Sequence, residues 1–128
     1  MLVQKKSVMN SRSAFDILKE RFNPDVEEFW GLFLNNHLDV IESKLIHRGT
    51  LDSCTVHPRD LFREAIKLNC CAIIMAHNHP SRNIEPSVSD LKLTLKFKKI
   101  GQLVQIPVID HMIFSDESYY SFKEHQQI

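Results

Sequence analysis

The chain has 128 residues with 16 basic and 16 acidic side chains, so its formal net charge is zero. This length fits one domain with a core of its own, and 43% apolar with 25% charged residues is ordinary for a globular chain. Zero net charge gives no global pull toward nucleic acid or lipid, and no apolar run approaches transmembrane length.

The start, MLVQKKSVMNSRS, has no apolar h-region and does not read as a secretory signal. Three cysteines, two of them adjacent (Cys70 and Cys71), make a poor disulfide framework, so a reducing cytoplasm is the expected location. Residues 1–10 read as a polar, basic arm or an edge strand. A short helix follows, capped by Ser11 or Ser13, with Ser13 and Asp16 in capping-box spacing and Phe15, Ile17, Leu18 and Phe22 as its apolar stripe. Asn23-Pro24-Asp25 ends it.

Glu28 to Leu34 is rich in aromatic and branched residues and predicts a strand. Asn35-Asn36 offers a turn and Leu38 to Ile46 a partner strand. His47 to Thr50 is a turn. Pro58 starts a second helix, with Leu61, Phe62, Ala65, Ile66 and Leu68 at helical spacing. His57 beside it reads as a cap or a surface residue. The apolar run Cys70 to Ala76 is a buried strand.

The stretch Ala76 to Asp90, AHNHPSRNIEPSVSD, is the densest in reactive side chains. If the strand continues, His77 and His79 point to one side. Ser87 then has N-cap character, with Asp90 at N3. A helix starting there returns Asp90 toward the strand end, and two imidazoles with a carboxylate suit a zinc ion whose fourth position is left to water. On the residues alone a second reading stays open: surface histidines, and an aspartate that only completes a capping box.

Leu91 to Lys99 alternates like a strand, but the N-cap at Ser87, Gly101 as a stop, and Leu93, Phe97 and Ile100 at helical spacing favour a helix. Lys92, Lys96, Lys98 and Lys99 make it basic. A solvated face is the default, and a nucleic-acid contact the sharper alternative. Val104 to Ser115 predicts one or two strands broken at Pro107. His111 within it reads as a satisfied structural histidine, with a supporting role beside the site as the rival. Tyr119 to Phe122 begins a segment packed on the sheet.

His77-Asn78-His79-Pro80, six residues, then Ser87-Val88-Ser89-Asp90 resembles the JAMM signature H-x-H-P-x6-S-x-x-D of the JAB/MPN superfamily of zinc metalloproteases and isopeptidases. More closely, AHNHPS…EPS..D…T with the later Asp110-His111 is similar to the RadC-like branch, over about 25–120. Phe33-Leu34, Arg48-Gly49-Thr50, Pro58-Arg59, Ala65 and Asn69 extend the match.

The resemblance implies an α/β (α+β) fold, a mixed central β-sheet flanked by helices with cytidine-deaminase-like layering. It divides the chain into an N-terminal arm and helix (1–24), a JAMM domain (25–122) and a frayed end (123–128). It implies one zinc per chain on His77, His79 and Asp90. Glu28, in the pattern E-x-x-G-L-x-L with Gly31, Leu32 and Leu34, would be the general base, with its neighbour Glu27 and Glu42 on the next strand as rivals, and Ser87 the oxyanion donor, in cleavage of a peptide or isopeptide bond. Relatives usually carry glycine where this chain has Arg82, which implies a reshaped loop or an arginine aimed at an acidic group.

Two other classes stand beside the hydrolase. RadC relatives carry a DNA-repair label, and longer ones have a helix-hairpin-helix module. This chain begins too close to the domain to hold one, which weakens that expectation. An inactive scaffold is the other, although such relatives usually lack the ligand set kept here. A deaminase would need H-x-E with a later P-C-x-x-C, and neither occurs. An exposed edge strand would permit a homo-oligomer, and no membrane partner is expected.

Overall fold

A computed structural model of the protein describes residues 10–50 and 56–128. In chain order the elements are α1 (Ser11–Leu18), β1 (Glu28–Leu34), β2 (Val40–Arg48), α2 (Pro58–Lys67), β3 (Ala72–Asn78), α3 (Val88–Val104), β4 (Val108–Phe114) and β5 (Tyr119–Ser121). The five strands form one sheet in the order β2-β1-β3-β4-β5. β3 pairs antiparallel with β1 and parallel with β4, and the crossover between β3 and β4 is α3. This is a mixed α/β sheet flanked by helices, consistent with a JAB/MPN-type fold.

Side-chain alternation along β1 and β3 builds two cores. Trp30, Leu32 and Leu34 with Ala72, Ile74 and Ala76 face α1 and bury Ala14, Phe15 and Leu18. Phe29 and Phe33 with Ile73 and Met75 face α2 and α3, against Leu61, Phe62, Leu93 and Phe97. Both strands are buried along their whole length, as expected of central strands covered on both faces. Each Phe or Leu buried in this way contributes about 1.5–3 kcal/mol of transfer free energy.

Two expectations shift at helix ends. Asn10, not Ser11 or Ser13, caps α1, its side chain accepting from the Ser13 N–H at 2.9 Å. Ser11 is instead buried and donates to Asp110 Oδ2 at 2.9 Å, pinning α1 to β4. Asp16 completes no capping box and pairs with Arg12 and Lys19.

α3 does not stop at Gly101. It runs to Val104, and Gln105 takes the left-handed conformation that ends it. Gly101 serves a close approach, since a Cβ there would lie 2.7 Å from the Ile106 carbonyl oxygen. No helix among the described residues is long and apolar enough to cross a membrane.

Candidate metal centre

β3 ends at Asn78, and α3 opens at Val88 under its cap, Ser87. The carboxyl end of a strand facing the start of the next helix is where open α/β sheets gather ligands. His77 is buried on the α2/α3 side of the sheet, the side its neighbour Met75 also faces.

Ser87 and Asp90 form a complete capping box. Ser87 Oγ accepts from the Asp90 N–H at 3.1 Å, and Asp90 Oδ2 accepts from the Ser87 N–H at 2.8 Å. The same carboxylate faces both histidines, with Oδ1 3.0 Å from His77 Nε2 and Oδ2 3.3 Å from His79 Nε2. The two readings of Asp90 left open by the sequence therefore hold together. The cap fixes the carboxylate and turns it to the imidazoles.

His77 Nε2 and His79 Nε2 lie 3.1 Å apart. Tetrahedral metal–ligand bonds of about 2.0–2.1 Å leave ligand atoms about 3.3–3.4 Å apart, close to the three separations here. The chemistry fits too. His79 Nδ1 lies 2.7 Å from the Asn83 carbonyl oxygen, which can only accept. Nδ1 therefore carries a proton, and Nε2 faces the centre, where its lone pair can take a metal ion or a proton shared with Asp90. The two Nε2 atoms and the carboxylate converge on one point, which a shared proton or a metal ion can occupy.

Burial alone would raise the Asp90 carboxyl. The hydrogen bonds of His77 and His79 and the Ser87 N–H outweigh it and hold Asp90 well below the usual carboxylate range. The Asp90 hydrogen bond in turn raises His79 against the opposing effect of burial.

The structure does not bring Glu28 to this centre. Glu28 is 1% exposed and faces α1 beside Trp30. Oε1 accepts from Trp30 Nε1 at 3.1 Å and from the Asn23 N–H at 2.9 Å, while Arg48 holds Oε2 at 2.8 Å. Strand alternation is the reason: Phe29 pairs in register with His77 on the metal side, so Glu28 turns to the other.

Glu27, just before β1, turns back toward the histidines. Glu27, His77 and His79 offer ligand atoms within 4.8 Å of one another and can hold a metal ion. Its backbone is clamped on both sides. Asn78, between the two histidines, accepts from the Glu28 N–H at 2.8 Å and donates to the Val26 carbonyl at 2.9 Å. Gly49 N–H donates to the Glu27 carbonyl at 2.8 Å from a φ of +118°, which favours glycine.

His111 supports the centre, the role that the sequence ranked second. It is fully buried, its Nε2 2.8 Å from His77 Nδ1, and its ring stacks on Phe122. Burial and the neighbouring His77 push His111 well below the ordinary histidine value. The sequence ranked Glu27 behind Glu28, as a rival for the base, and missed Asn78's clamp. Asn78 was visible only as the spacer of H-x-H, although a spacer on a buried strand has a face of its own.

Arg82 takes the left-handed backbone that favours glycine, at φ +68°. Its guanidinium donates to the Pro80 carbonyl at 3.1 Å and lies 3.7 Å from Asp25 and 3.9 Å from Asp116. On α3, Lys92, Lys96 and Lys99 are exposed, at i, i+4 and i+7 on one face, with Lys98 partly buried.

A mixed sheet with two histidines at the end of one strand and a carboxylate in the first turn of the crossover helix is consistent with a domain of the JAB type, with side chains that could hold a metal ion. A family model described as RadC-like JAB domain matches residues 8–127, and the chain belongs to that family. It is 37% identical over 122 residues to a UPF0758 protein of Chlorobium chlorochromatii, covering 94% of this chain and 55% of that one. It is 45% identical over 98 residues to a UPF0758 protein of Haemophilus ducreyi, covering 77% and 44%. A UPF0758 protein of Staphylococcus haemolyticus is 43% identical over 98 residues, covering 77% and 43%. The chain spans about half the length of the curated relatives it matches.

Proposed function

We propose that this domain is a zinc-dependent hydrolase of the JAMM type that cleaves a peptide or isopeptide bond. The observation that carries the reading is the convergence of His77 Nε2, His79 Nε2 and the Asp90 carboxylate within 3.3 Å. His77, His79 and Asp90 would hold the ion. A zinc ion so held supplies a water acidified to a pKa of about 7 and a Lewis acid for the scissile carbonyl.

Glu27 is the proton acceptor in this reading, in place of Glu28. Its carboxylate lies on the histidine side, while that of Glu28 is held by Arg48 and Trp30 on the other. Glu27 takes a proton from the attacking water and passes it to the leaving amine, so no net proton is lost. Ser87 Oγ accepts from the Asp90 N–H and has its own proton to offer the oxyanion. Such a donor is worth about 3–4 kcal/mol in the transition state.

The test is metal content and peptide turnover in two variants. Asp90→Asn should lose zinc. Glu27→Gln should keep zinc and lose turnover. Full zinc in Asp90→Asn, or full activity in Glu27→Gln, contradicts the assignment.

A second reading has an observation of its own. The exposed face of α3 carries Lys92, Lys96 and Lys99 beside exposed Leu91 and Leu95, a surface suited to a nucleic-acid backbone. Duplex binding that falls steeply with salt, with a shallower slope after the three lysines become glutamine, would support it. Salt-independent or absent binding leaves that face as solvated surface.

A further inference from the structure

His77 reaches the metal centre with one ring nitrogen and is engaged behind it by the other. Nδ1 lies 2.8 Å from His111 Nε2. His111 Nδ1 in turn meets Thr94 Oγ1, on the inner face of α3. Thr94 Oγ1 also lies 2.8 Å from the carbonyl oxygen of Asp90, one turn back. Thr94 and His111 are both fully buried.

Proton counting gives this chain a direction. A carbonyl oxygen can only accept, so the single hydroxyl proton of Thr94 goes to Asp90. Thr94 Oγ1 must then accept from His111, and His111 carries its proton on Nδ1. His111 Nε2 is left as an acceptor and takes the Nδ1–H of His77. Neutral His77 is left with its Nε2 lone pair facing Asp90 and His79, where a metal ion takes the place of the proton that His77 shares with Asp90 when no metal is bound. The reverse order sets the Thr94 oxygen against the Asp90 carbonyl with no proton between them. It would also put a proton on His77 Nε2, where a metal must bind.

We propose that Thr94 and His111 form a directed hydrogen-bond relay that fixes His77 as its Nδ1–H tautomer and presents the Nε2 lone pair to a divalent metal. The proposal rests on the metal-site reading above. Both residues are positioning residues, since neither reaches the metal centre itself. The relay begins at the carbonyl of Asp90, whose side chain faces the same centre. One residue thus supplies a metal-facing carboxylate and, through its main chain, orders the imidazole opposite it. His79 obtains the same tautomer more simply, from the Asn83 carbonyl.

Two measurements test it. The first is long-range 1H–15N NMR of the histidine side chains in the metal-free chain. The relay predicts that His111 and His77 both carry the proton on Nδ1. A proton on His111 Nε2 overturns the proposal whether or not metal binds.

The second is zinc affinity by competition with a chromophoric chelator. Thr94→Val and His111→Phe should bind zinc about 10–100-fold more weakly. Thr94→Ser, which keeps the hydroxyl, should bind as wild type does. Wild-type affinity in a folded Thr94→Val chain overturns the relay. Failure of the wild type to bind zinc overturns the metal-site reading instead, and the NMR result still decides the relay.

Discussion

Glu27 and Glu28 are neighbours in sequence and lie on opposite sides of one sheet. On the α1 side every oxygen of Glu28 has a donor: Arg48, Trp30 and the Asn23 N–H. Asp110, on the same side, accepts from Ser11, Ser121 and the N–H groups of His111 and Lys123. Burial still pushes the Asp110 carboxyl up against these donors. On the other side two imidazole nitrogens and a carboxylate crowd onto one point, at His77, His79 and Asp90. A buried carboxylate whose lone pairs are all used holds the fold together. Side chains that converge on one point with lone pairs to offer can hold a metal ion.

The largest effects should separate those two roles. Glu27→Gln should lower turnover by about 10²–10⁴-fold, as removal of a general base does, with zinc content and melting temperature nearly unchanged. Glu28→Gln should do the reverse. It leaves Arg48 without its partner and costs about 1–3 kcal/mol of stability by denaturant unfolding, while the zinc content stays at the wild-type level. If Glu28→Gln loses turnover at full stability, the two glutamates have been assigned to the wrong sides.

The two sides should also differ in pH response. The raised value of His79 means that its pairing with Asp90 stabilises the metal-free chain fully below the ordinary histidine value. That contribution is lost as the pH rises through the raised value. Asp90, held low, contributes above the ordinary carboxylate value and loses its contribution only on strong acidification. The metal-free chain should therefore draw most from this pair between about pH 4 and 6.5. Added zinc, which competes with the proton on His79, should stabilise progressively more above that window. Melting curves across pH with and without zinc check this, and a zinc effect that grows toward acid contradicts it.

Arg82 should give the smallest change. Glycine there relieves a left-handed conformation that costs an ordinary residue roughly 1–2 kcal/mol. The looser unfolded chain offsets about 0.4–1 kcal/mol of that gain. A rise of a few tenths to about 1 kcal/mol in unfolding free energy is expected for Arg82→Gly. A clear loss would show that the contacts to Asp25 and Asp116 outweigh the backbone strain.

Much of this arrangement was legible in the chain. The run from Cys70 with H-x-H after it placed a buried strand and two imidazoles on one side. Ser87 and Asp90 at capping-box spacing placed the helix start. Pro58 marked the start of α2, and the conflict over Leu91 to Lys99 resolved to a helix because caps outweighed alternation. Glu28 was beyond the reach of spacing. Its face depends on the register that pairs Phe29 with His77, a contact between distant segments that no local pattern contains. The Thr94–His111 contact joins a helix and a strand in the same way. Thr94 left one local trace, as a polar residue on the buried face of α3 beside Leu93 and Phe97. Gly101 looked like a helix stop because glycine often is one, but here it makes room for the chain entering β4.

The most direct test of the central claim is zinc content by plasma mass spectrometry, on the wild type and on His77→Ala/His79→Ala, both purified without chelator. The account predicts about one zinc per wild-type chain, as a single set of three protein ligands requires, and none in the double variant. No zinc in the wild type even after reconstitution, or full zinc in the double variant, would contradict it.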